Sequence, residues 1–295
     1  MSIDVPTKTC ACTGVRWCAN CRDPRIRRRH RMDDPATIPQ RLSTRPRDPG
    51  SGTPPREGFH DFDLDLQGSP TCPEFRGVRV FRDFVSADEA DRLLQEIEKA
   101  SFLPAQSGKL KQHYGPKVNF NKRKINTSRF HGLPDYARWI ESRLRELANL
   151  DLPGSSTDNL ALRTALEAFE ATDAFVLRYL EHDASNLDFH RDDTFAYGEA
   201  ILDLSLESDS VLTFLDCHEQ GLAVDQGRCV RVPLPARSLA VVYGHARFSW
   251  EHAILAYDIA GRRTSITLRT LNETLRHSGA GKQILDIARG NSSPA

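Results

Sequence analysis

The sequence predicts an α+β protein built on a jelly roll, that is, a double-stranded β-helix core with supporting helices. Three observations carry that prediction. Apolar residues recur at helical spacing in the first part of the folded region, the period drops to two from Phe175 onward, and the later strands are short and closely spaced. Ahead of this region stand a cysteine-rich segment and an arginine- and proline-rich stretch, giving three units: residues 1–24, 25–72 and 73–290.

In the first unit, Cys10, Cys12, Cys18 and Cys21 place four of the chain's seven cysteines within twelve positions. Four thiolates suit tetrahedral zinc, and so short a segment cannot fold without metal. A full thiolate set leaves no open position, so the expected role of Zn(II) is structural or recruiting; unliganded thiols are the alternative. Cys72, Cys217 and Cys229 stand apart as isolated thiols. The second unit holds Arg25, Arg27, Arg28, Arg29 and Arg31, then Pro35, Pro39, Pro46, Pro49, Pro54 and Pro55 among small polar residues. That composition buries little and is expected to be disordered. Its arginine run reads either as a solvated linker or as a nuclear address or phosphate-binding arm.

The third unit opens with a strand expected within Phe75–Phe84. Ser86 with Glu89 forms a capping box, and Ala90, Leu93, Leu94 and Ile97 continue a helix. A second helix is expected over Pro134–Leu150, a short one within 154–172, and a last one over Lys282–Arg289. Strands follow from Leu202, Leu204 and Leu206 alternating with Asp203 and Ser205, from Val230 and Val232, and from the run Arg237–Tyr243.

The 40 basic and 40 acidic side chains cancel, so no global field argues for nucleic acid or a membrane surface. Met1–Thr9 has no apolar core of a secretory signal, and the longest apolar runs fall far short of the roughly 20 residues a membrane span needs. The expectation is a soluble monomer of the cytoplasm and nucleus, with no membrane partner.

Three features of the β-rich half belong together. In an extended segment His190 and Asp192 project to one side, and His252 follows about sixty residues later. Two imidazoles and a carboxylate can occupy one face of an octahedral Fe(II), leaving positions for a chelating 2-oxo acid and for O2. The third feature is the strand Arg263–Arg269, whose alternation puts Arg263, Ser265, Thr267 and Arg269 on one face. Two arginines on an inner face need anions, and a dicarboxylate cosubstrate supplies them. Arg263 suits the distal carboxylate, and Arg269 lies nearer the metal, where it can orient Asp192. Asp193 competes with Asp192 as a ligand, but the two-residue spacing favours Asp192. His245 reads as a loop histidine, and His182 and His218 as surface or loop residues.

These residues resemble the AlkB family of Fe(II)- and 2-oxoglutarate-dependent dioxygenases, most closely its homologue 4 branch. The likeness is carried by the four cysteines, Gln106–Gly108, Gln112–Phe120, His190–Asp193, Val232–Leu239, Trp250–Ile254 and the arginine strand. It implies iron on His190, Asp192 and His252, 2-oxoglutarate on Arg263 and Arg269, and Tyr179 as a further cosubstrate contact. Two departures stand out. Ser265 occupies a position where relatives commonly have asparagine, and Val176 occupies one where an asparagine often bonds the cosubstrate. The implied reaction is oxidative demethylation of a macromolecule: a methylated lysine on a protein such as actin, with consequences for actomyosin, or alternatively 6-methyladenine in DNA. A non-catalytic adaptor acting through the cysteine cluster is the remaining alternative.

Residues 106–131 interleave charge and aromatics, and in relatives the corresponding region forms a lid over the substrate. Lys109, Tyr114, Lys117, Asn119 and Phe120 are the lid candidates. Such a lid can stack bases and pair phosphates, or grip an acidic protein surface; an exposed loop without contacts is the alternative.

Overall fold

The structure, a computed structural model, describes residues 59–119, 122–148, 156–216 and 228–290. In chain order the elements are β1 (Phe59–Asp61), β2 (Val78–Phe81), α1 (Ala87–Glu98), β3 (Leu103–Pro104), β4 (Leu110–Tyr114), β5 (Lys117–Asn119) and β6 (Lys124–Asn126). Then come α2 (Asp135–Ala148), α3 (Ser156–Glu167), β7 (Asp173–Leu180), β8 (Leu187–His190), β9 (Tyr197–Leu206), β10 (Ser210–Asp216), β11 (Cys229–Leu234) and β12 (Leu239–Val242). The chain closes with α4 (Gly244–Ser249), β13 (Trp250–Ile254), β14 (Arg262–Leu271), α5 (Glu273–Arg276) and α6 (Gly279–Ala288).

Two sheets make the jelly roll. The larger runs β2-β12-β9-β14-β7-β4-β3 and the smaller β1-β11-β10-β13-β8, so from β7 onward the chain passes repeatedly from one sheet to the other. Alternation along each strand then sorts the side chains. On the outer face of the larger sheet, Val176, Leu202, Leu204, Leu206, Ile266 and Leu268 join one apolar cluster with Leu93 and Ile97 of α1, Ile140 and Leu144 of α2, Leu162 of α3 and Ile284 of α6. The inner faces form a second cluster around Tyr179, Ile201, Phe214, Val230, Val232 and Trp250. Trp250 is fully buried, with Phe75 edge-on at 4.9 Å between centroids. The helices thus brace one sheet from outside, and the space between the sheets is left for the site.

The expected helices form, with ends shifted by a few residues. The first strand is shorter than the Phe75–Phe84 window because Phe75 leaves it to pack beneath Trp250. Among the described residues no helix is long and apolar enough to cross a membrane. The cysteine cluster and the arginine–proline stretch up to residue 58 lie outside the described residues, as do Phe120, Cys217 and His218. Cys72 and Cys229 are buried thiols.

Ser86 accepts from the Glu89 amide at 3.2 Å, and the Glu89 carboxylate accepts from the Ser86 amide at 2.8 Å, closing the capping box. Replacing Ser86 by alanine should lower unfolding stability by about 1 kcal/mol, read as a lower urea midpoint at unchanged slope.

Candidate active site

The smaller sheet delivers both imidazoles. His190 ends β8, His252 lies on β13, and the antiparallel register sets them directly opposite each other. Their ring centroids are 4.4 Å apart. Asp192, two residues past the end of β8, converges on the same point: its Oδ2 lies 3.6 Å from Nε2 of His252. One donor atom from each of the three falls within 4.8 Å of the others. Nδ1 of His190 donates to the Asp188 carbonyl at 2.9 Å, which leaves Nε2 of that ring as the lone-pair nitrogen.

The donor set fits a divalent first-row metal. Asp192 Oδ2 is buried without a hydrogen-bond partner among the described residues, an orphaned anionic oxygen that a cation would satisfy. Bonds of roughly 2.1 Å at right angles separate neighbouring donors by about 3 Å, so the 3.6 Å gap needs little adjustment. Burial alone would raise the Asp192 carboxyl, but Arg269 above all, helped by Arg247, holds it well below the usual carboxylate range. Burial first, and then the neighbouring His190, push His252 down to about 3, so its ring is neutral and able to ligate.

Arg269 acts on Asp192 as the sequence suggests. Its Nε donates to Asp192 Oδ1 at 2.7 Å, which occupies one oxygen and leaves the other facing the imidazoles. Its Nη1 donates to Asp173 Oδ1 at 3.0 Å, and the guanidinium lies 5.0 Å from the Tyr197 ring centroid. Asp173 is buried, and its second oxygen meets Nε2 of His113 at 2.6 Å. Gly115 permits that arrangement, because a Cβ there would come within 2.4 Å of Asp173 Oδ2.

Arg263 is 1% exposed, and one amino group donates to Asp203 Oδ2 at 2.7 Å and Ser205 Oγ at 2.8 Å. Its Nε has no partner among the described residues. The guanidinium also sits over the Tyr179 ring at 5.2 Å. Asp203 in turn accepts from Thr267. Ser265 is buried on the same strand, paired in register with Ser205 and Leu177. The arginines are therefore balanced partly by protein carboxylates, Asp203 and Asp173, rather than by a cosubstrate alone.

Several expectations need correction. Val176 belongs to the outer apolar cluster with the helices, so it cannot face a cosubstrate; the residue sharing the Tyr179 face is Leu177. Lys109 is buried rather than exposed on a lid, with Nζ donating to the Asn186 carbonyl. Tyr114 packs against the outer cluster, and its hydroxyl donates to Gln112 at 3.2 Å. Lys117 and Asn119 do lie exposed on the β5–β6 hairpin. That hairpin leans toward the site, with Val118 against the inner cluster and Arg123 over the Phe195 ring at 5.0 Å. His245 is on α4, not in a loop, and accepts from Trp250 Nε1 at 3.3 Å. Asp193 caps a turn through the amides of Phe195 and Ala196, which removes it as a ligand.

One residue of consequence gave no motif. Arg247, buried on α4, donates to the carbonyls of Asp192 at 2.7 Å and Asp193 at 3.1 Å. In return Arg191 donates to the Phe248 carbonyl at 2.7 Å. These crossed bonds tie the segment bearing His190 and Asp192 to the one leading into His252. The only hint in the sequence is a cation five residues ahead of the second histidine.

No family model matches the chain. Individual relatives do. It is 30% identical over 311 residues to the Homo sapiens protein named alpha-ketoglutarate-dependent dioxygenase alkB homolog 4, covering 95% of this chain and 93% of that one. The Mus musculus protein of the same name is 29% identical over 306 residues, with 95% and 93% covered. A Caenorhabditis elegans protein named DNA N6-methyl adenine demethylase is 25% identical over 282 residues, with 92% and 90% covered.

Two measurements test this geometry. Removing Arg269 (Arg269→Met) frees Asp192 and should weaken Mn(II) binding roughly 10- to 100-fold, as loss of a partner behind a metal ligand does; titration calorimetry reads it. The second concerns pH. His252 titrates near 3 when folded against an ordinary 6.5, so the unfolded chain binds the extra proton between those values. The metal-free protein should lose stability as pH falls from about 6.5 toward 3, and His252→Asn should flatten the upper part of that decline in urea melts.

Proposed function

The chain belongs to the AlkB family of Fe(II)- and 2-oxoglutarate-dependent dioxygenases, in its homologue 4 branch, and we propose that it removes N-methyl groups from lysine on a protein substrate such as actin. The observation that carries the chemistry is the convergence of His190, Asp192 and His252, with Arg269 bonded to Asp192 and buried Arg263 further along the same strand. Bound Fe(II) and 2-oxoglutarate supply the oxidising power that hydroxylates a methyl carbon with O2, after which the carbon leaves as formaldehyde.

The protein's own side chains bind and orient. His190 and His252 would offer ring nitrogens, and Asp192 the oxygen that Arg269 leaves free. Arg263 and Tyr179 would hold the distal carboxylate of the cosubstrate, with Ser265 lining the same strand. The inner aromatic cluster excludes water from the deep end. At the mouth, the β5–β6 hairpin would meet the macromolecule.

The balanced formal charge of the chain supports a protein substrate over a phosphate backbone. A second reading, demethylation of 6-methyladenine in DNA, is supported by the worm relative's name and by exposed Lys117, Lys122, Arg123 and Lys124 on or beside the hairpin. Offering methyl-lysine actin and methyladenine DNA in parallel separates the two. The account expects formaldehyde from the lysine substrate, weak dependence on salt, and at least a hundredfold loss in His190→Ala, on the order of what removing a reacting-centre contact costs. Turnover of DNA alone, with steep salt dependence, would transfer the assignment to the second reading.

A further inference from the structure

Arg269 serves two carboxylates with one guanidinium. Its Nε donates to Asp192 Oδ1 at 2.7 Å and its Nη1 to Asp173 Oδ1 at 3.0 Å. How firmly it holds the first depends on how well the second is satisfied from elsewhere. That further support for Asp173 comes from His113.

Strand pairing puts His113 in reach. β4, β7 and β14 are adjacent in the larger sheet. Arg269 is paired with Asp173 across β14 and β7, and on the other side of β7 His113 is paired with Phe175 and Tyr114 with Ala174. One step further along, Gly115 falls opposite Asp173. A side chain at that position would close the gap, because a Cβ there would lie 2.4 Å from Asp173 Oδ2 and 3.1 Å from His113 Nε2. Over the bare glycine the His113 ring reaches diagonally, and its Nε2 donates to Asp173 Oδ2 at 2.6 Å. A carboxylate only accepts, so that nitrogen carries the hydrogen.

A second contact ties the same two side chains together. The Phe175 ring centroid lies 5.0 Å from that of His113 and 5.9 Å from the Arg269 guanidinium, so both rest on one apolar support. Exposure is graded along the line. The Asp173 side chain is 1% exposed and that of His113 32%, so the carboxylate is sealed from water while the imidazole that holds it is not.

Deleting the imidazole donor would leave Asp173 Oδ2 buried without that bond. A buried carboxylate oxygen deprived of its donor draws on the cation already bonded to it. Any turn of the guanidinium toward Asp173 is taken from its bond to Asp192, and Asp192 then loses the hold that points Oδ2 at the imidazoles.

We infer that His113 is a positioning residue for the metal centre: through Asp173 it keeps Arg269 on Asp192, from the far end of three consecutive hydrogen bonds. This rests on the reading of His190, Asp192 and His252 as metal ligands.

Calorimetry of Mn(II) binding to the full chain tests it. His113→Phe keeps a ring against Phe175 and deletes the donor, and it should weaken Mn(II) roughly 3- to 30-fold, the range for a substitution along a coupled network. His113→Gln returns an amide donor near the place of Nε2 and should come back to within about twofold of the parent. In an Arg269→Met background the His113→Phe change should cost less than about twofold more, because the residue it acts through is gone. His113→Leu serves the same comparison should the phenylalanine variant not fold. Unchanged Mn(II) affinity, equal losses in the phenylalanine and glutamine variants, or an equal loss in both backgrounds overturns the inference. A parent protein that does not bind Mn(II) would instead overturn the metal-ligand reading beneath it.

Discussion

The bond between Arg269 and Asp192 is the constraint on which the rest of the site depends. A carboxylate buried between two sheets is costly, and it survives there because a guanidinium occupies one of its oxygens. The same bond decides which oxygen faces the imidazoles. Arg269 is itself fixed, on one side by Asp173 and His113 and on the other by the Tyr197 ring. A continuous line of polar contacts therefore runs from the half-exposed His113, through Asp173 and Arg269, to the Asp192 carboxylate. Arg247 adds a second hold, on backbone carbonyls rather than on a side chain. Its fork on the Asp192 and Asp193 carbonyls holds the ligand turn against α4, while the β13–β8 register holds the two histidines opposite each other. The placement of the three donors is thus over-determined by strand pairing, an ion pair and a backbone clasp.

The alternation of β-structure makes such a site possible at modest cost. The central strands β9 and β14 of the larger sheet give most of their apolar residues to the helices and several polar ones to the interior. On β9, Leu202, Leu204 and Leu206 face outward, while Asp203 and Ser205 turn in; on β14, Ile266 and Leu268 face outward, while Arg263, Thr267 and Arg269 turn in. Charged groups meet across the sheet rather than standing alone, as Arg263 meets Asp203. The helices supply the apolar burial that such a polar inner layer cannot.

Most of this division was readable beforehand because it depends on period. Periodicity and caps locate the helices within a few residues, His190, Asp192 and His252 come together, Arg269 bonds Asp192, and Arg263 lies on the same inner face of β14. Other features depend on register, which spacing does not report. Val176 and Leu177 differ by one position, yet one faces the helices and the other the pocket. Lys109 lies in a stretch whose composition suggests an exposed lid, and only the pairing of β4 with β7 turns it inward. Asp173, Asp203 and Arg247 form no motif with their sequence neighbours. Each acts on a residue at least 55 positions away, and such partners become visible only when the sheets close.

The central claim, that this fold assembles an iron centre chelated by a 2-oxo acid, is tested most directly by anaerobic visible spectroscopy. Protein loaded with Fe(II) and titrated with 2-oxoglutarate should develop a metal-to-ligand charge-transfer band that saturates at one cosubstrate per chain. The band should be lost when both His190 and His252 are replaced by alanine. A parent protein that shows no band, or a double variant that shows the same one, would contradict the account.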